Sequence, residues 1–517
     1  MSRNQLLFLI AFPLVIFSAA NTWKSQRTWA AIDPAAPPVD SIAKGKKLAL
    51  VHCQRCHLFT EPALLDKKTW VSSVLPNMGL RLGIKAKDAP NAAYLNSEDA
   101  KTLQEWNIYP DQALLSLKDW NLIVKYFEHE APSQLPLPTS NTPQQLSSFL
   151  GQYVSFGAHQ FPQTTMIKYD SRSGHFFIGD AHNDLYLMNT QFQLVNQSQI
   201  KSPAVDMDFP RNKAPRLLSI GSIVPSDQKQ GELLALDGDP NGLKLGPLAR
   251  PVQFAAGDLN CDGKEDLVLC SFGNHRGQLA WYDQGDPSKE HILSTLPGTR
   301  QVEIRDMNGD QKNDLVVLRA QAYEAISIYY NQDQGHFEEK VVLQFPPVYG
   351  LSYLEMADFN QDGFLDFLVT NGDNWDLSAI LKPYHGIRIY LNDGKNQFTE
   401  KFFYPLYGTS KALARDFDLD GDLDIAAIAF YTNLEQPEHG FVYLNNEGSL
   451  NFTATATPDA AAGKWLCMEA GDFDRDGDQD IILGSYFHTA AEVTQLAIHS
   501  VSSFPQLLVL YNQKNGK

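Results

Sequence analysis

Two cysteines, two spacer residues and a histidine form the segment Cys53-Gln54-Arg55-Cys56-His57 near the start of the chain. Two thiols at this spacing, followed directly by an imidazole, form the C-x-x-C-H pattern to which haem is covalently attached. The chain holds only 5 Cys and 13 His in 517 residues, so a chance match is rare. A zinc site would need a second pair of ligands, and the neighbouring sequence offers none. The sequence therefore predicts one covalently bound haem.

Two amphipathic segments flank this motif and are predicted as helices. The first, 41–57, runs into the motif and carries Gly45, where a second helix could cross closely. The second, 115–132, places Trp120, Ile123 and Phe127 on one stripe. The pair resembles the crossed N- and C-terminal helices of class I cytochromes c. That resemblance implies a small all-α haem domain over residues 40–130.

The resemblance also assigns roles within the haem domain. It implies that Cys53 and Cys56 carry the thioether bonds and that His57 is the proximal iron ligand. Met78 is the expected distal ligand, and a thioether there would raise the reduction potential. Its spacing of 21 residues from His57 is shorter than in many class I cytochromes. His52, His129 or an open sixth position are the alternatives.

The sequence after about residue 150 repeats itself, which determines the expected fold. Five stretches align without gaps, and they begin at Asp258, Asp306, Asp358, Asp416 and Asp472, a period of 48 to 58 residues. Two weaker units precede them. Each unit has one strand leading into an Asp-rich loop, a second leaving it, and two more before the next unit. Four strands in about 50 residues are typical of a propeller blade, so we expect an all-β propeller of seven blades over 150–517.

The Asp-rich loops follow the pattern D-x-[DN]-x-D-G-x-x-D and resemble the calcium loops of FG-GAP and VCBS repeats. Oxygen ligands at positions one, three, five and nine suit a hard cation such as Ca²⁺. An EF-hand is excluded, because its glutamate at position twelve is replaced by an apolar strand residue in every loop. The sequence predicts about five Ca²⁺ ions, held by Asp258, Asn260, Asp262, Asp266, Asp306, Asn308, Asp310, Asp314, Asp358, Asn360, Asp362, Asp366, Asp416, Asp418, Asp420, Asp424, Asp472, Asp474, Asp476 and Asp480. These ions are expected to staple the blades.

The charge of the chain is concentrated in these loops. Seventeen of the predicted ligands are aspartates, almost equal to the formal net charge of −18. Without metal, each loop would crowd like charges within a few ångströms and destabilise its blade. The acidic balance also excludes nucleic acid as a partner, because phosphate backbones require basic patches.

A second polar pattern falls on the opposite side of the expected propeller. The loops joining the second and third strands of the units carry six of the 13 histidines: His182, His275, His385, His439, His488 and His499. Two interpretations remain open. These side chains are either solvent-exposed with no joint role, or they line a surface that binds a redox metal or an acidic partner, since imidazole suits Cu, Fe or Zn.

The chain begins with a short basic region and about 15 mostly apolar residues that end at small residues. This pattern predicts a signal peptide over 1–20, either cleaved or retained as an N-terminal anchor, the only expected membrane contact. Linkers are expected at 21–39 and 131–149. We therefore expect export to the periplasm or cell surface of a Gram-negative bacterium.

Three functions fit this organisation. The first is an electron carrier with one haem c and a propeller that docks a redox partner protein. The second is an oxidoreductase whose propeller face oxidises a small molecule and passes electrons to the haem. The third is an adhesion or glycan-binding module with a redox-sensing haem. The sequence contains no G-x-G-x-x-G nucleotide signature, no thiolate copper set and no nucleophilic triad, which favours the carrier over a complete enzyme.

Overall fold

The structure, a computed structural model, describes residues 39–84, 98–136, 143–157, 159, 161–239, 242–374, 377–498, 501 and 503–514. The expected signal segment 1–20 and almost all of the linker 21–39 lie outside these residues. The helices are α1 Val39–Cys53, α2 Lys67–Thr69, α3 Leu75–Arg81, α4 Glu98–Glu105, α5 Leu117–Glu130 and α6 Ala490–Ile498, with a π-helical turn Trp70–Val74 between α2 and α3. In this described part of the chain, no helix is both long and apolar enough to cross a membrane.

Helices α1 and α5 cross closely, as the glycine in α1 predicted. A Cβ atom on Gly45 would lie 2.2 Å from the carbonyl oxygen of Leu122, so any larger residue would push the helices apart. The core beneath the crossing contains Trp70, Trp120 and Phe127, each no more than 3% exposed. The helical stripe predicted on α5 therefore faces a genuine core. We call helices α1 to α5 and their connections the helical domain.

The rest of the described chain is built from strands. They are β1 Gln144–Gln145, β2 Phe149–Val154, β3 Thr164–Asp170, β4 His175–Asp180, β5 Asp184–Asn189, β6 Leu194–Gln199, β7 Ala204–Asp208, β8 Arg216–Ser219, β9 Lys229–Ala235, β10 Lys244–Ala249, β11 Pro251–Gly257, β12 Asp266–Ser271, β13 Gln278–Tyr282, β14 Glu290–Ser294, β15 Thr299–Arg305, β16 Asp314–Arg319, β17 Ala325–Asp333, β18 His336–Gln344, β19 Leu351–Ala357, β20 Asp366–Asn371, β21 Gly386–Asn392, β22 Phe398–Pro405, β23 Thr409–Arg415, β24 Asp424–Ala429, β25 Phe441–Asn446, β26 Phe452–Ala456, β27 Trp465–Gly471, β28 Asp480–Ser485 and β29 Leu507–Asn512.

These strands form seven sheets, and the predicted seven-bladed propeller is confirmed. Blades 1 to 6 are the consecutive quartets β3–β6, β7–β10, β11–β14, β15–β18, β19–β22 and β23–β26. Blade 7 has only three strands from the end of the chain, β27, β28 and β29. Each blade buries its central strands on both faces, which explains why the strands after the Asp-rich loops are continuous apolar runs.

The fourth strand of blade 7 comes from the other end of the propeller sequence. β2 pairs antiparallel with β29, with Phe149 opposite Asn512 and Val154 opposite Leu507. β1, which falls inside the segment expected as a linker, pairs in parallel with β26 on the outside of blade 6. The closure joins the first and last blades through backbone hydrogen bonds, which removes the open edges that a broken ring would expose.

Side chains of the innermost strands bond one blade to the next. Gln301 in blade 4 donates to the carbonyl of Leu354 in blade 5 at 2.6 Å and accepts from the Leu354 amide at 3.1 Å. Lys168 in blade 1 forms an ion pair with Asp206 in blade 2 at 2.7 Å. Since the innermost strands of neighbouring blades are not paired through their backbones, these side chains fix the spacing of the ring.

We expect the substitution Gln301→Leu to lower the free energy of unfolding by about 1–3 kcal/mol, because it leaves the buried amide and carbonyl of Leu354 without partners. Urea unfolding followed by tryptophan fluorescence measures the change. The matched control is Gln332→Leu at the exposed end of β17. Equal stability of the two variants would contradict a bonding role for Gln301.

Candidate functional sites

The C-x-x-C-H motif lies at the end of α1, which finishes at Cys53. Cys53 is partly buried, Cys56 is exposed, and neither forms a disulfide. The His57 Nδ1 atom lies 2.9 Å from the carbonyl oxygen of Leu58. A carbonyl only accepts, so Nδ1 carries the proton and Nε2 is left with its lone pair for a metal. The two thiols and the oriented imidazole therefore fit a covalent haem.

Met78, the expected distal ligand, lies on α3. It packs against the same hydrophobic cluster as Cys53, so the two expected attachment points share one core. Burial lowers the pKa of His57, and the positive charge of Arg81, one turn after Met78, lowers it further. The alternative ligand His129 is half exposed at the end of α5 and bonds Glu130 at 2.8 Å. The shared hydrophobic cluster places Met78 of α3 and Cys53 of the C-x-x-C-H motif in the same part of the helical domain.

The helical domain rests on one face of the propeller, which we call the docking face. This face is formed by the described residues of the loops that join the second and third strands of the blades: 181–183, 220–228, 272–277, 320–324, 372–374, 377–385, 430–440, 486–498, 501 and 503–506. Ser73 donates to the carbonyl of Leu377 at 2.7 Å, and Tyr384 donates to the carbonyl of Leu64 at 2.8 Å. Both contacts fall on the long loop of blade 5.

A second contact joins the helical domain to blade 3. The hydroxyl of Tyr109 lies 3.4 Å from Nε2 of His275, and the Nδ1 atom of His275 lies 2.8 Å from Asp227. Arg276 lies over the ring of Trp106, 4.5 Å from its centre. Burial raises the pKa of Asp227, but hydrogen bonds from His275 and from backbone amides outweigh burial and lower it overall. This contribution to stability is therefore present at neutral pH and is lost as the pH falls through the lowered pKa.

The Asp-rich loops lie on the opposite face. In four of them the first aspartate accepts the backbone amides of positions five and six, as Asp258 does from Asp262 at 3.1 Å and Gly263 at 2.8 Å. Position six has a positive φ, and in the loop that lacks glycine Gln311 adopts a φ of 66°. The loop at 306 therefore keeps the turn without the glycine that favours it.

The aspartates at position nine connect the loop to the blade through hydrogen bonds and are also expected ligands. All five are 0% exposed. Each accepts one amide from position two of its loop and one from the end of the third strand or the turn just after it. For Asp266 these donors are Leu259 at 2.9 Å and Gln284, two residues past β13, at 2.8 Å. Burial raises the pKa of Asp480 to about 7, although backbone amides oppose the shift. The sequence pattern alone did not distinguish this buried role from simple ligation.

Two of the loops bring three carboxylates together. The oxygens of Asp416, Asp418 and Asp420 lie within 4.8 Å of one another, as do those of Asp472, Asp474 and Asp480. Burial raises the pKa of Asp418, and its neighbour Asp420 raises it further. Crowded carboxylates with turn geometry of this kind fit a hard divalent cation, which would remove the repulsion.

The described histidines of the docking face have different surroundings. His275 belongs to the domain contact, His439 lies in the short 3₁₀ turn Pro437–Gly440, and His499 falls outside the described residues. His385 is 1% exposed and stacks on Tyr407, and burial lowers its pKa well below the ordinary range. His275, His385 and His439 therefore lie in three different surroundings, and a shared histidine surface stays a hypothesis.

Two of the predicted histidines, His182 of blade 1 and His488 of blade 7, line the same cleft between these blades. The volume of the cleft is about 210 Å³. His159, which the sequence reasoning did not include, stacks on His182 with ring centres 3.6 Å apart. His159 lies in the connection from β2 to β3, so only the pairing of β2 in blade 7 could have placed it on this face.

Comparison with known proteins agrees with the repeats. A family model described as an FG-GAP-like repeat matches residues 258–317, 306–369 and 416–483. No curated protein matches the chain. The chain thus contains FG-GAP-like repeats within a seven-bladed propeller.

Solved structures with a similar outline include the Neurospora crassa Pan2 WD40 domain, at 10% identity and a TM-score of 0.41 over 71% of this chain and 97% of that chain. The N-terminal domain of Nup159 has 11% identity and a TM-score of 0.42 over 71% and 96%. Saccharomyces cerevisiae Sqt1 has 8% identity and a TM-score of 0.39 over 68% and 83%. At these values nothing about function passes to this chain.

We expect Trp106→Ala to loosen the contact between the helical domain and blade 3, because it removes the cation–π contact with Arg276, worth about 0.5–2 kcal/mol. Hydrogen exchange of the amides in 272–277 should become faster. Leu117→Ala is the control, since Leu117 is 60% exposed on α5. Unchanged protection of 272–277 in the Trp106 variant would show that this contact does not hold the domains together.

We expect Ca²⁺ to raise the thermal unfolding midpoint and a calcium chelator to lower it. One site filled at 100 times its Kd adds about 2.7 kcal/mol of stability. Asp418→Asn should reduce the gain from Ca²⁺ and raise the midpoint in chelator, because it removes one of the crowded charges. Asp393→Asn, on an exposed hairpin outside the Asp-rich loops, should change neither value. A midpoint that does not respond to Ca²⁺ would argue against metal in these loops.

Proposed function

We propose that the chain is an exported electron carrier with one haem c in its helical domain and a calcium-stabilised propeller as a docking platform. Cys53 and Cys56 would hold the haem, and His57 and Met78 would be its axial ligands. The observation that carries this proposal is the geometry of the motif. It has a free thiol at the end of α1, a second free thiol three residues later, and the Nδ1 atom of His57 lies 2.9 Å from the carbonyl oxygen of Leu58.

The residues around the motif have separate tasks in this proposal. The bond from His57 Nδ1 to Leu58 fixes the ring so that Nε2 is the ligand atom. A thioether from Met78 would raise the reduction potential, and the close crossing at Gly45 would keep α1 and α5 rigid around the cofactor. When bound, the haem supplies reversible one-electron chemistry.

Docking on the propeller would give the haem domain one orientation. Burial raises the pKa of Tyr323, which lies in the loop between β16 and β17, and the charge of Cys56 raises it further. The exposed cysteine of the motif therefore interacts electrostatically with a residue of blade 4. A redox partner protein would meet the helical domain and the docking face together, rather than a freely rotating haem domain.

The propeller would serve as the rigid support. We propose that the five Asp-rich loops bind about five Ca²⁺ ions, which would bring the formal net charge from −18 to −8. The ions would lie on the face opposite the helical domain, so their role would be to stabilise the blades and not to take part in electron transfer.

The oxidoreductase alternative is favoured by one observation, the histidine-lined cleft between blades 7 and 1 on the docking face. In that case the cleft would bind the substrate, and the helical domain on the same face would take up its electrons. Turnover of a small molecule, coupled to haem reduction, distinguishes this alternative from a simple carrier.

Covalent haem content tests the proposal. The full chain, produced in a bacterial periplasm with the machinery for c-type haem attachment, should carry one covalent haem. Cys56→Ser should lose one thioether bond, whereas Cys261→Ser, at the other exposed cysteine outside the motif, should leave haem content unchanged. Met78→Ala should keep the haem and lower its reduction potential. A wild-type chain without covalent haem would overturn the proposal.

A further inference from the structure

We propose that the cleft between blades 7 and 1 binds a divalent transition-metal ion of the zinc type through His159, His182 and Asp180. These three residues bring their ligand atoms within 4.8 Å of one another. Two imidazoles and one carboxylate are the donor set that such ions prefer, and they differ from the all-oxygen sets of the Asp-rich loops. The proposal depends neither on the haem nor on calcium.

The distances are close to what an ion requires. Asp180 Oδ2 lies 3.9 Å from His159 Nε2 and 3.7 Å from His182 Nδ1. Two ligands about 2.1 Å from a tetrahedral zinc ion lie about 3.4 Å apart. The carboxylate oxygen is thus within a few tenths of an ångström of the ligand-to-ligand separation that zinc requires from each imidazole nitrogen.

Hydrogen bonds from neighbouring residues hold the Asp180 carboxylate in position. Asp180 Oδ1 accepts the backbone amides of His182 at 2.8 Å and Asp184 at 3.0 Å. The hydroxyl of Tyr186 donates to Oδ2 at 3.2 Å, and Oδ2 is the oxygen that lies within 4 Å of a nitrogen of each imidazole. Supporting bonds of this kind orient a metal ligand and strengthen binding.

His159 has a second acidic neighbour, Asp184, that lies close enough to bind the same metal ion. Its Nε2 atom lies 3.1 Å from Asp184 Oδ2, and Gln197 donates to the other oxygen of Asp184 at 2.9 Å. An ion at Nε2 would replace this hydrogen bond, which leaves Asp184 Oδ2 as a fourth ligand or as an acceptor for bound water.

The two rings must move to share one ion. They are parallel within 6°, and an ion lies close to the plane of each imidazole that binds it, so stacked rings cannot both ligate. Both side chains are about one third exposed, His159 at 34% and His182 at 38%. Rotation about their side-chain bonds into the cleft therefore meets little resistance from packing.

The cleft leaves one side of the group open to solvent. Its other wall comes from blade 7, with Phe487 and His488. Burial would raise the pKa of Glu492, but hydrogen bonds from His488 and Lys464 lower it to about 2, which fixes that wall by an ion pair. Three protein ligands with an open position are the arrangement of metal sites that exchange water for a ligand.

Calorimetric titration of the full-length protein with Zn²⁺ tests the proposal. Excess Ca²⁺ is present throughout, so that the Asp-rich loops are filled before Zn²⁺ is added. We expect one stoichiometric site in the wild type. His182→Ala and His159→Ala should each weaken this site at least tenfold. His336→Ala, at an exposed histidine on β18, should leave it unchanged. Thermal unfolding of each variant in chelator checks that the propeller is intact.

Two results would overturn the proposal. One is a wild-type chain without a stoichiometric Zn²⁺ site. The other is equal binding by the wild type and the two cleft variants, which would show an adventitious ion only. Covalent haem content is measured separately. A wild-type chain that carries the haem but has no stoichiometric Zn²⁺ site would therefore reject the cleft site and leave the electron-carrier proposal standing.

Discussion

The pairing of β2 with β29 is the constraint on which the rest of the structure depends. A ring of seven sheets closes only if its first and last blades are joined, and here the join is a strand that precedes blade 1 in sequence. Six residues of β2 pair with six residues of β29, so the closure is made by backbone hydrogen bonds and does not need a disulfide. It also decides where the chain enters the ring, and hence where the helical domain is attached.

In the closed ring, the Asp-rich loops and the helical domain lie on opposite faces. The Asp-rich loops join first and second strands and all emerge on one side, where their carboxylates concentrate negative charge. The second-to-third loops emerge on the other side, where the helical domain contacts blades 3 and 5 through His275 and Tyr384. The C-x-x-C-H motif of the helical domain and the crowded carboxylates thereby lie on opposite faces of the propeller, which limits the electrostatic effect of one on the other.

Among the described residues, the helical domain contacts part of the docking face. The contacts described above lie on blades 3 to 5, and the histidine-lined cleft lies between blades 7 and 1. A partner or a small ligand could thus reach the cleft while the helical domain stays in place. The connection from β2 to β3, which carries His159, is common to the closure and to the cleft, so the join that completes the ring also completes this site.

The sequence by itself determined the features that follow from local pattern. The period of the Asp-rich loops predicted seven blades, the glycine in α1 predicted the close helix crossing, and the C-x-x-C-H spacing picked out Cys53, Cys56 and His57. Each of these depends on residues a few positions apart or on a regular repeat. The tertiary structure alone decided which distant side chains meet: β2 in blade 7, His159 on His182, and Tyr109 on His275. The physical reason is that a loop pattern fixes the face on which a side chain emerges, whereas closure of the ring and docking of the helical domain fix its neighbours.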